Sequence, residues 1–238
     1  MSDGHNEKKN WIPIPFQEAA RSLAADAINH VIKDNQVIGL GSGPMAAAIV
    51  REMAKLPNRD TLHCIASSTQ IKQEAEDGGL KIVDENRIPE IDIVFDGADQ
   101  IDSEFNMIKG GGGALLKEKI LHYAAKRIII TAESFKYVGT FNRSVPIEVH
   151  PFARHIVQTK LKSLGGQPTL RMLDEGYPYV TENGNFVLDT TFSSIPNVQK
   201  KEIELKSIPG ILEVGLFTKR AYIYYKANKE GSYNTIKL

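Results

Sequence analysis

Apolar residues recur at helical spacing near the start of the chain and then gather into short, continuous runs. Between residues 16 and 33 they recur every three or four positions, which predicts an amphipathic helix. The runs QVIGLG, TLHCIA, LKIV, DIVFD and RIIITA are apolar without alternation, as in strands buried on both faces. Helical patterns lie between them, at residues 45–56, from about 69 to 77, and at 114–126. Such alternation predicts an α/β fold, a Rossmann-like parallel sheet with helices on both faces.

The pattern changes after Pro146. A helix is predicted around residues 153–164 and another at 197–207. Strands are predicted near 168–173, at 179–189 with a bend at NGN, and at 211–218, with turn signals between them. This order predicts a smaller α+β, ferredoxin-like domain at residues 146–218, with a possible role in oligomerisation. Residues 1–145 and 219–238 are then expected to form the Rossmann-like catalytic domain, with AYIYYKA returning to its sheet.

Charge and composition exclude several functional classes. Lys plus Arg number 29 and Asp plus Glu number 29, so no net basic field attracts nucleic acid. No apolar run approaches the length of a bilayer span, and MSDGHNEKKN lacks the apolar core of a signal peptide. The one cysteine, Cys64, cannot form an internal disulfide, which suits a reducing compartment. We therefore expect a cytoplasmic protein without nucleic-acid or membrane partners.

A glycine-rich turn follows the first predicted strand and precedes a helix. In IGLGSGPMAAAIV, backbone N–H groups and the helix dipole make an anion site. Gly41, Gly43 and Ala46 also satisfy the loose dinucleotide pattern, but the next strand is followed by Ser67 and Ser68 where that pattern needs an acid. A phosphate monoester is therefore favoured over a nicotinamide cofactor, and a turn that merely connects strand to helix remains the alternative.

A second cluster of polar residues and glycines lies at residues 96–119. Asp96 ends a buried strand, where open α/β sheets bind ligands, and Asp99 follows in the turn. Lys109 directly precedes four consecutive glycines, and Glu118 lies one turn into the next helix. Glycines permit close approach and offer N–H donors to a developing oxyanion. Each charged residue alone would be read as a turn, cap or surface residue, so only the combination predicts an acid–base site.

At these motifs the chain resembles the ribose-5-phosphate isomerase A family, over roughly residues 16–225. The matching segments are GLGSG, SSTQ, DIVFDGAD, MIKGGGGALLKEKI, TAESFK, PIEVHPFA, TENGNFVLD and IPGILEVGLF. The resemblance implies interconversion of D-ribose 5-phosphate and D-ribulose 5-phosphate through an enediolate, in the non-oxidative pentose phosphate pathway. It implies no cofactor and no metal, in keeping with histidines that lack metal-ligand spacing, and a homodimer or homotetramer.

The resemblance also implies roles for individual residues. Glu118 matches the base, Asp96 a group that handles protons on the sugar oxygens, Lys109 the stabiliser of the enediolate, and Asp99 a ligand of the sugar hydroxyls. The sequence does not decide how these roles are divided between Asp96 and Asp99. Further candidates for binding substrate or its phosphate are Ser42, Gly43, Pro44, Met45, Gly97, Ala98, Gly110, Gly111, Gly112, Lys136 and Arg21.

The sequence departs from the family pattern at three places. Pro44 and Met45 stand where relatives carry Ser and Thr, so two hydroxyls and one N–H are missing from the phosphate loop. Gln100 replaces a common glutamate, and Thr69 replaces an aromatic residue. Two alternatives share the fold: a sugar-phosphate-binding regulatory module, which would not need Glu118 with Lys109, and a coenzyme A transferase, which would use a glutamate as nucleophile.

Overall fold

The computed structural model describes residues 12–84 and 90–238. These residues form two compact units, which are described separately below. Unit 1 contains the described residues up to Gly97 with Ala124–Ser134 and Ala221–Leu238, and unit 2 contains Ala98–Tyr123 and Phe135–Arg220. Residues 98–123 and 135–145, which the sequence prediction assigned to the first domain, therefore lie in unit 2.

Unit 1 consists of helices and a six-stranded sheet; labels run in chain order through both units. Its helices are α1 (Gln17–Val31), α2 (Pro44–Met53) and α3 (Thr69–Asp77). Its strands are β1 (Val37–Leu40), β2 (His63–Ala66), β3 (Ile91–Asp96), β6 (Ala125–Glu133), β12 (Ile223–Ala227) and β13 (Tyr233–Lys237).

The sheet of unit 1 is parallel except at one edge. Its order is β13-β12-β6-β3-β1-β2, and β13 pairs antiparallel with β12. Ile82 adds a single parallel bridge on Cys64 of β2, all that the structure keeps of the predicted LKIV strand. Counted in chain order, the parallel segments therefore run 3-2-1-4-5-6, the order of doubly wound dinucleotide-binding sheets. The order reverses between β1 and β3, which is where such sheets bind ligands.

The predicted helices of unit 1 follow from their apolar faces. Alanines make α1 and α2 narrow on their buried sides, and both helices join one core with β1, β3 and part of β12. Helix α2 ends at Met53 rather than at the predicted Leu56. The N–H groups of Lys55 and Leu56 donate to the carbonyls three residues earlier, as in a turn, and Pro57 disfavours helical geometry at Leu56. The return of AYIYYKA to the main sheet is confirmed, since β12 pairs parallel with β6.

Unit 2 contains two small sheets and three helices. The helices are α4 (Leu115–Ala124, whose last residue is in unit 1), α5 (Arg154–Ser163) and α6 (Val198–Lys206). The strands are β4 (Gln100–Ile101), β5 (Met107–Ile108), β7 (Val145–Val149), β8 (Gly166–Leu170), β9 (Phe186–Phe192), β10 (Ile211–Val214) and β11 (Leu216–Phe217).

The larger sheet of unit 2 has the order β10-β7-β9-β8, with every pair antiparallel. Along the chain these strands follow a β-α-β-β-α-β pattern, which is the ferredoxin-like arrangement that the sequence predicted. Three predicted strands have other bounds in the structure. The strand predicted near 168–173 is β8, at Gly166–Leu170. The strand predicted at 179–189, with a bend at NGN, begins only at Phe186 because residues 181–185 form a turn, and the strand predicted at 211–218 divides at Gly215.

The division at Gly215 brings the smaller sheet together. Strands β11, β5 and β4 pair antiparallel in that order, and the N–H of Lys109 donates to the carbonyl of Gly215 at 2.9 Å. A Cβ at position 215 would lie 2.4 Å from the carbonyl oxygen of Lys109, so only glycine permits this approach. Within residues 12–84 and 90–238, no helix is both long enough and apolar enough to cross a membrane.

Candidate active site

Unit 1 places Asp96 beside a glycine at the reversal of its strand order. Asp96 is the last residue of β3 and is fully buried, and its carboxylate accepts the N–H of Gly97 at 2.7 Å. A Cβ on Gly41, which follows β1, would lie 2.0 Å from Oδ1 of Asp96. Gly41 therefore lets the Asp96 side chain occupy this position, a packing role that the sequence did not reveal.

The rest of the first glycine loop leads into α2. Gly43 has a φ of +90°, a value that L side chains rarely adopt, and Pro44 begins the helix. The hydroxyl of Ser42 lies 2.9 Å from that of Ser68, which caps α3 as the SSTQ motif predicted. The side chain of Met45 is buried in the core. Met45 can therefore contribute a backbone N–H to the loop, but its side chain points into the core.

Unit 2 brings Lys109 and Glu118 into an ion pair. Lys109 Nζ lies 3.2 Å from Glu118 Oε2, and the two side chains are 4% and 5% exposed. Glu118 stands in the first turn of α4, where a carboxylate interacts favourably with the helix dipole. Lys109 Nζ also lies 5.5 Å from the centroid of the Phe217 ring. The pair is thus held away from water, where its electrostatic interactions are strong.

Asp99 fixes the start of the second glycine segment, residues 110–113. Its Oδ2 accepts the N–H of Gly111 at 2.7 Å, and a Cβ at position 111 would lie 2.8 Å from Oδ1. Gly110 has a φ of +103° and is buried, so a side chain there would be strained. Asp99 and Gly110 together direct the chain from Lys109 towards α4.

Two residues that the sequence reasoning missed also contact these glycines. Arg171 donates to the carbonyls of Gly110 and Gly111 at 2.9 and 3.0 Å, and the hydroxyl of Tyr179 donates to the carbonyl of Gly112 at 3.1 Å. Neither residue belongs to a recognisable motif, and they lie about sixty residues further along the chain. Arg171 directly follows β8, and its contacts with Gly110 and Gly111 join distant parts of the chain, so no local signal could have found it.

The other candidates have different surroundings. Arg21 is exposed on α1 and lines a cavity of about 450 Å³ with Arg51 and Lys55, which belong to the end of α2 and the residues after it. The structure gives that cavity no lining residue from the described loop 41–45. Lys136 ends a short 3-10 turn directly after β6 and is half-buried. Ala98 is buried directly after Gly97.

The chemistry available in unit 2 is acid–base and electrostatic. A carboxylate paired with an ammonium can exchange a proton with a carbon acid while the ammonium stabilises negative charge. The glycine segment adds backbone N–H groups to the same stretch of chain. This combination suits a reaction in which an anionic oxygen develops beside a carbon that loses its proton.

Comparison with known proteins points to one family. The model of the ribose 5-phosphate isomerase A (phosphoriboisomerase A) family matches residues 63–231. A ribose-5-phosphate isomerase of Dictyostelium discoideum is 38% identical over 217 residues, which cover 88% of this chain and 93% of the relative. Ribose-5-phosphate isomerase A of Methanosarcina acetivorans is 35% identical over 233 residues, 97% of each chain.

Solved structures agree with this result. A D-ribose-5-phosphate isomerase in complex with phospho-erythronic acid has a TM-score of 0.87 at 32% identity, over 93% of this chain and 99% of that one. Ribose 5-phosphate isomerase A of Methanocaldococcus jannaschii has a TM-score of 0.85 at 32% identity, with the same coverage. The predicted fold class, a Rossmann-like parallel sheet with helices on both faces and a smaller α+β domain, is confirmed.

Proposed function

Because the chain belongs to the ribose 5-phosphate isomerase A family, we propose that it interconverts D-ribose 5-phosphate and D-ribulose 5-phosphate with Glu118 as the base. The family match covers most of the chain, and the relatives are matched over nearly their full length. A regulatory module and a coenzyme A transferase are not favoured, since the relatives named above are isomerases.

The reaction moves one proton between adjacent carbons. In the open-chain aldose, the Glu118 carboxylate takes the proton from C2, and the C2–H electron pair forms the C1–C2 double bond as O1 becomes anionic. The enediolate then loses its charge by the reverse flow: O2 becomes the carbonyl oxygen, and C1 receives the proton held by Glu118. The proton on O2 moves to O1, so substrate and product have the same atoms and charge. No redox partner is needed.

One observation carries this proposal: the buried ion pair of Lys109 and Glu118. The ammonium stabilises the charge that develops on the sugar oxygens, which is the largest contribution that such a group makes to catalysis. In the same proposal Asp96 handles protons on those oxygens, and Asp99 binds the sugar hydroxyls and orients the glycine segment. The first glycine loop, with Lys136, binds the phosphate.

The direct test is Glu118→Gln assayed with ribose 5-phosphate in the presence of a chelator. The amide keeps the size of the side chain but cannot accept the C2 proton, so we expect kcat to fall about 100- to 10,000-fold with the fold intact. Glu182→Gln is the matched control. Glu182 lies outside α4 and pairs with the partly exposed Lys117 of that helix at 2.9 Å. Its kcat should be that of wild type. Near-normal turnover by Glu118→Gln would remove Glu118 from the role.

Assembly and location belong to the proposal as well. A homodimer or homotetramer is supported by large apolar side chains exposed in unit 2, among them Tyr123 at 86% and Phe152 at 89%. Light scattering on the purified chain would show a monomer if this is wrong. A cytoplasmic location is supported by Cys64, which is unpaired and buried, and whose pKa burial raises to about 12.

A further inference from the structure

The glycine segment 110–113 is held from one side by two residues of unit 2, Arg171 and Tyr179, which we call the clamp. Arg171 binds the carbonyls of Gly110 and Gly111, and Tyr179 binds the carbonyl of Gly112. The Tyr179 ring also covers Gly113, where a Cβ would lie 2.2 Å from the hydroxyl oxygen. Three consecutive carbonyls are therefore bound by side chains that come from the ferredoxin-like part of the unit.

Binding the carbonyls fixes the direction of the N–H groups. A trans peptide is planar, with its C=O and N–H on opposite sides, so a carbonyl held by the clamp directs the following N–H away from it. The N–H of Gly111 accordingly donates to Asp99, on the other side of the segment from Arg171. The next N–H, that of Gly112, makes no hydrogen bond within the described ranges, and a Cβ at this exposed position would meet nothing within 4 Å.

Arg171 is itself held in one orientation. Its guanidinium makes two hydrogen bonds to the Asp189 carboxylate, at 2.6 and 2.9 Å, and both side chains are largely buried. Such a bidentate pair fixes the plane of the guanidinium, which leaves another edge for the glycine carbonyls. The backbone also joins the two clamp residues, because the N–H of Tyr179 donates to the carbonyl of Arg171 at 2.9 Å.

A buried carboxylate supports the turn that follows Tyr179. Glu148 of β7 is fully buried, and its Oε1 accepts hydrogen bonds from Thr181, Asn183 and Asn185 at 2.8 to 3.0 Å. This is the TENGN motif, for which the family resemblance gave no physical reason. Burial raises the pKa of Tyr179, so its hydroxyl remains a donor well into alkaline solution.

We propose that Arg171 and Tyr179 are positioning residues for the isomerisation: Arg171 holds the carbonyl of Gly111 and so directs the N–H of Gly112 at the developing oxyanion, and Tyr179 fixes the next peptide by holding the carbonyl of Gly112. The inference rests on the proposed function. Charge on the oxygens is present only as the enediolate forms, so loss of the clamp should lower kcat and leave KM for ribose 5-phosphate nearly unchanged.

The test compares Arg171→Ala, Arg171→Lys and Tyr179→Phe with wild type in steady-state kinetics. Displacement of a catalytic group by about 1 Å costs on the order of 100-fold, and we expect that loss of kcat for Arg171→Ala. Tyr179→Phe removes one hydrogen bond and should lose about five-fold. Arg171→Lys keeps one donor and should fall between them. Millimolar guanidinium should restore part of the activity of Arg171→Ala and none of that of Tyr179→Phe.

Lys117→Met is the control, because Lys117 joins α4 to Glu182 of the same turn region without touching a glycine carbonyl. Its kcat should equal that of wild type. The folded fraction of each variant, measured by near-ultraviolet circular dichroism, corrects kcat for protein that has not folded. A corrected kcat that is normal in Arg171→Ala, or a loss confined to KM, would overturn the clamp. Absence of isomerase activity in wild type would instead overturn the proposed function.

Discussion

The two glycine segments of this chain look alike in sequence, but glycine is required in them for different physical reasons. In the loop at 41–43, Gly41 makes room for the Asp96 side chain, and Gly43 adopts a backbone conformation open to few other residues. In the segment at 110–113, the carbonyls are bound by Arg171 and Tyr179, and Asp99 binds an N–H. The first segment is shaped by packing, and the second is oriented by hydrogen bonds from distant residues.

Packing also constrains the second segment, which the sequence alone did not indicate. Gly113 lies under the Tyr179 ring, and Gly110 lies against Leu115 and Pro146. Within this segment Gly112 stands apart, with open space where a Cβ would be. A glycine pattern alone therefore does not distinguish a packing requirement from a binding role. The distinction requires the atoms that face each position.

The largest expected effect distinguishes the role of Lys109, next to the second segment, from that of Lys136, which is proposed to bind the phosphate with the first. Lys109→Met removes the ammonium next to the second segment and should lower kcat at least about 100-fold, with KM little changed. Lys136→Met should instead raise KM, because its proposed partner is the phosphate, which is bound equally in substrate and transition state. Steady-state kinetics with ribose 5-phosphate measure both. The reverse pattern would exchange the two assignments.

The next effect tests the packing reason for the first segment. Gly41→Ala should destabilise the protein by about 2 kcal/mol or more, because its Cβ collides with Asp96. Gly112→Ala should leave the free energy of unfolding nearly unchanged, since the position is open. Chemical denaturation of both variants compares them directly. Equal stability of the two variants would contradict the distinction drawn between the segments.

A smaller effect is expected where the first segment enters α2. Pro44→Ser supplies an N–H and a hydroxyl at the helix N-terminus, so KM should fall about five-fold while kcat stays the same. Met45 is less suited to this test because its side chain is buried in the core. Kinetics at several substrate concentrations decide the point. An unchanged KM would mean that other groups already compensate for the missing donors.

The smallest effect concerns acid. Burial by itself raises the pKa of Glu213, but Lys119, Lys206 and the N–H of Val214 together hold it below its ordinary value of 4.5. The unfolded chain then binds this proton more readily, so the stabilisation is present above pH 4.5 and is lost as the pH falls. Glu213→Gln should be less stable than wild type at pH 7 and should approach it below pH 4.5. Urea unfolding at both pH values measures this, and a difference that grows in acid would contradict it.

Periodicity and motifs predicted most of the fold, and motifs indicated Lys109 and Glu118, which the structure pairs. The alternation of apolar strands with helices indicated the parallel sheet, because strands buried on both faces need helices to cover them. Strand β13 escaped notice because only partly buried side chains mark it as an edge strand. The IKGGGGALLKEK segment indicated Lys109 and Glu118, which are close along the chain. Arg171 and Tyr179 could not be predicted, because their contacts with the glycines join residues that lie far apart along the chain.

The most direct test of the account is to follow ribose 5-phosphate by nuclear magnetic resonance in deuterated water containing a chelator. If Glu118 carries the proton between carbons, ribulose 5-phosphate should accumulate with wild type and contain deuterium at C1, since the carboxyl proton exchanges with solvent. Glu118→Gln should form the labelled ketose about 100- to 10,000-fold more slowly than wild type. Ketose that forms at the wild-type rate without Glu118, or no ketose with the wild-type chain, would contradict the account.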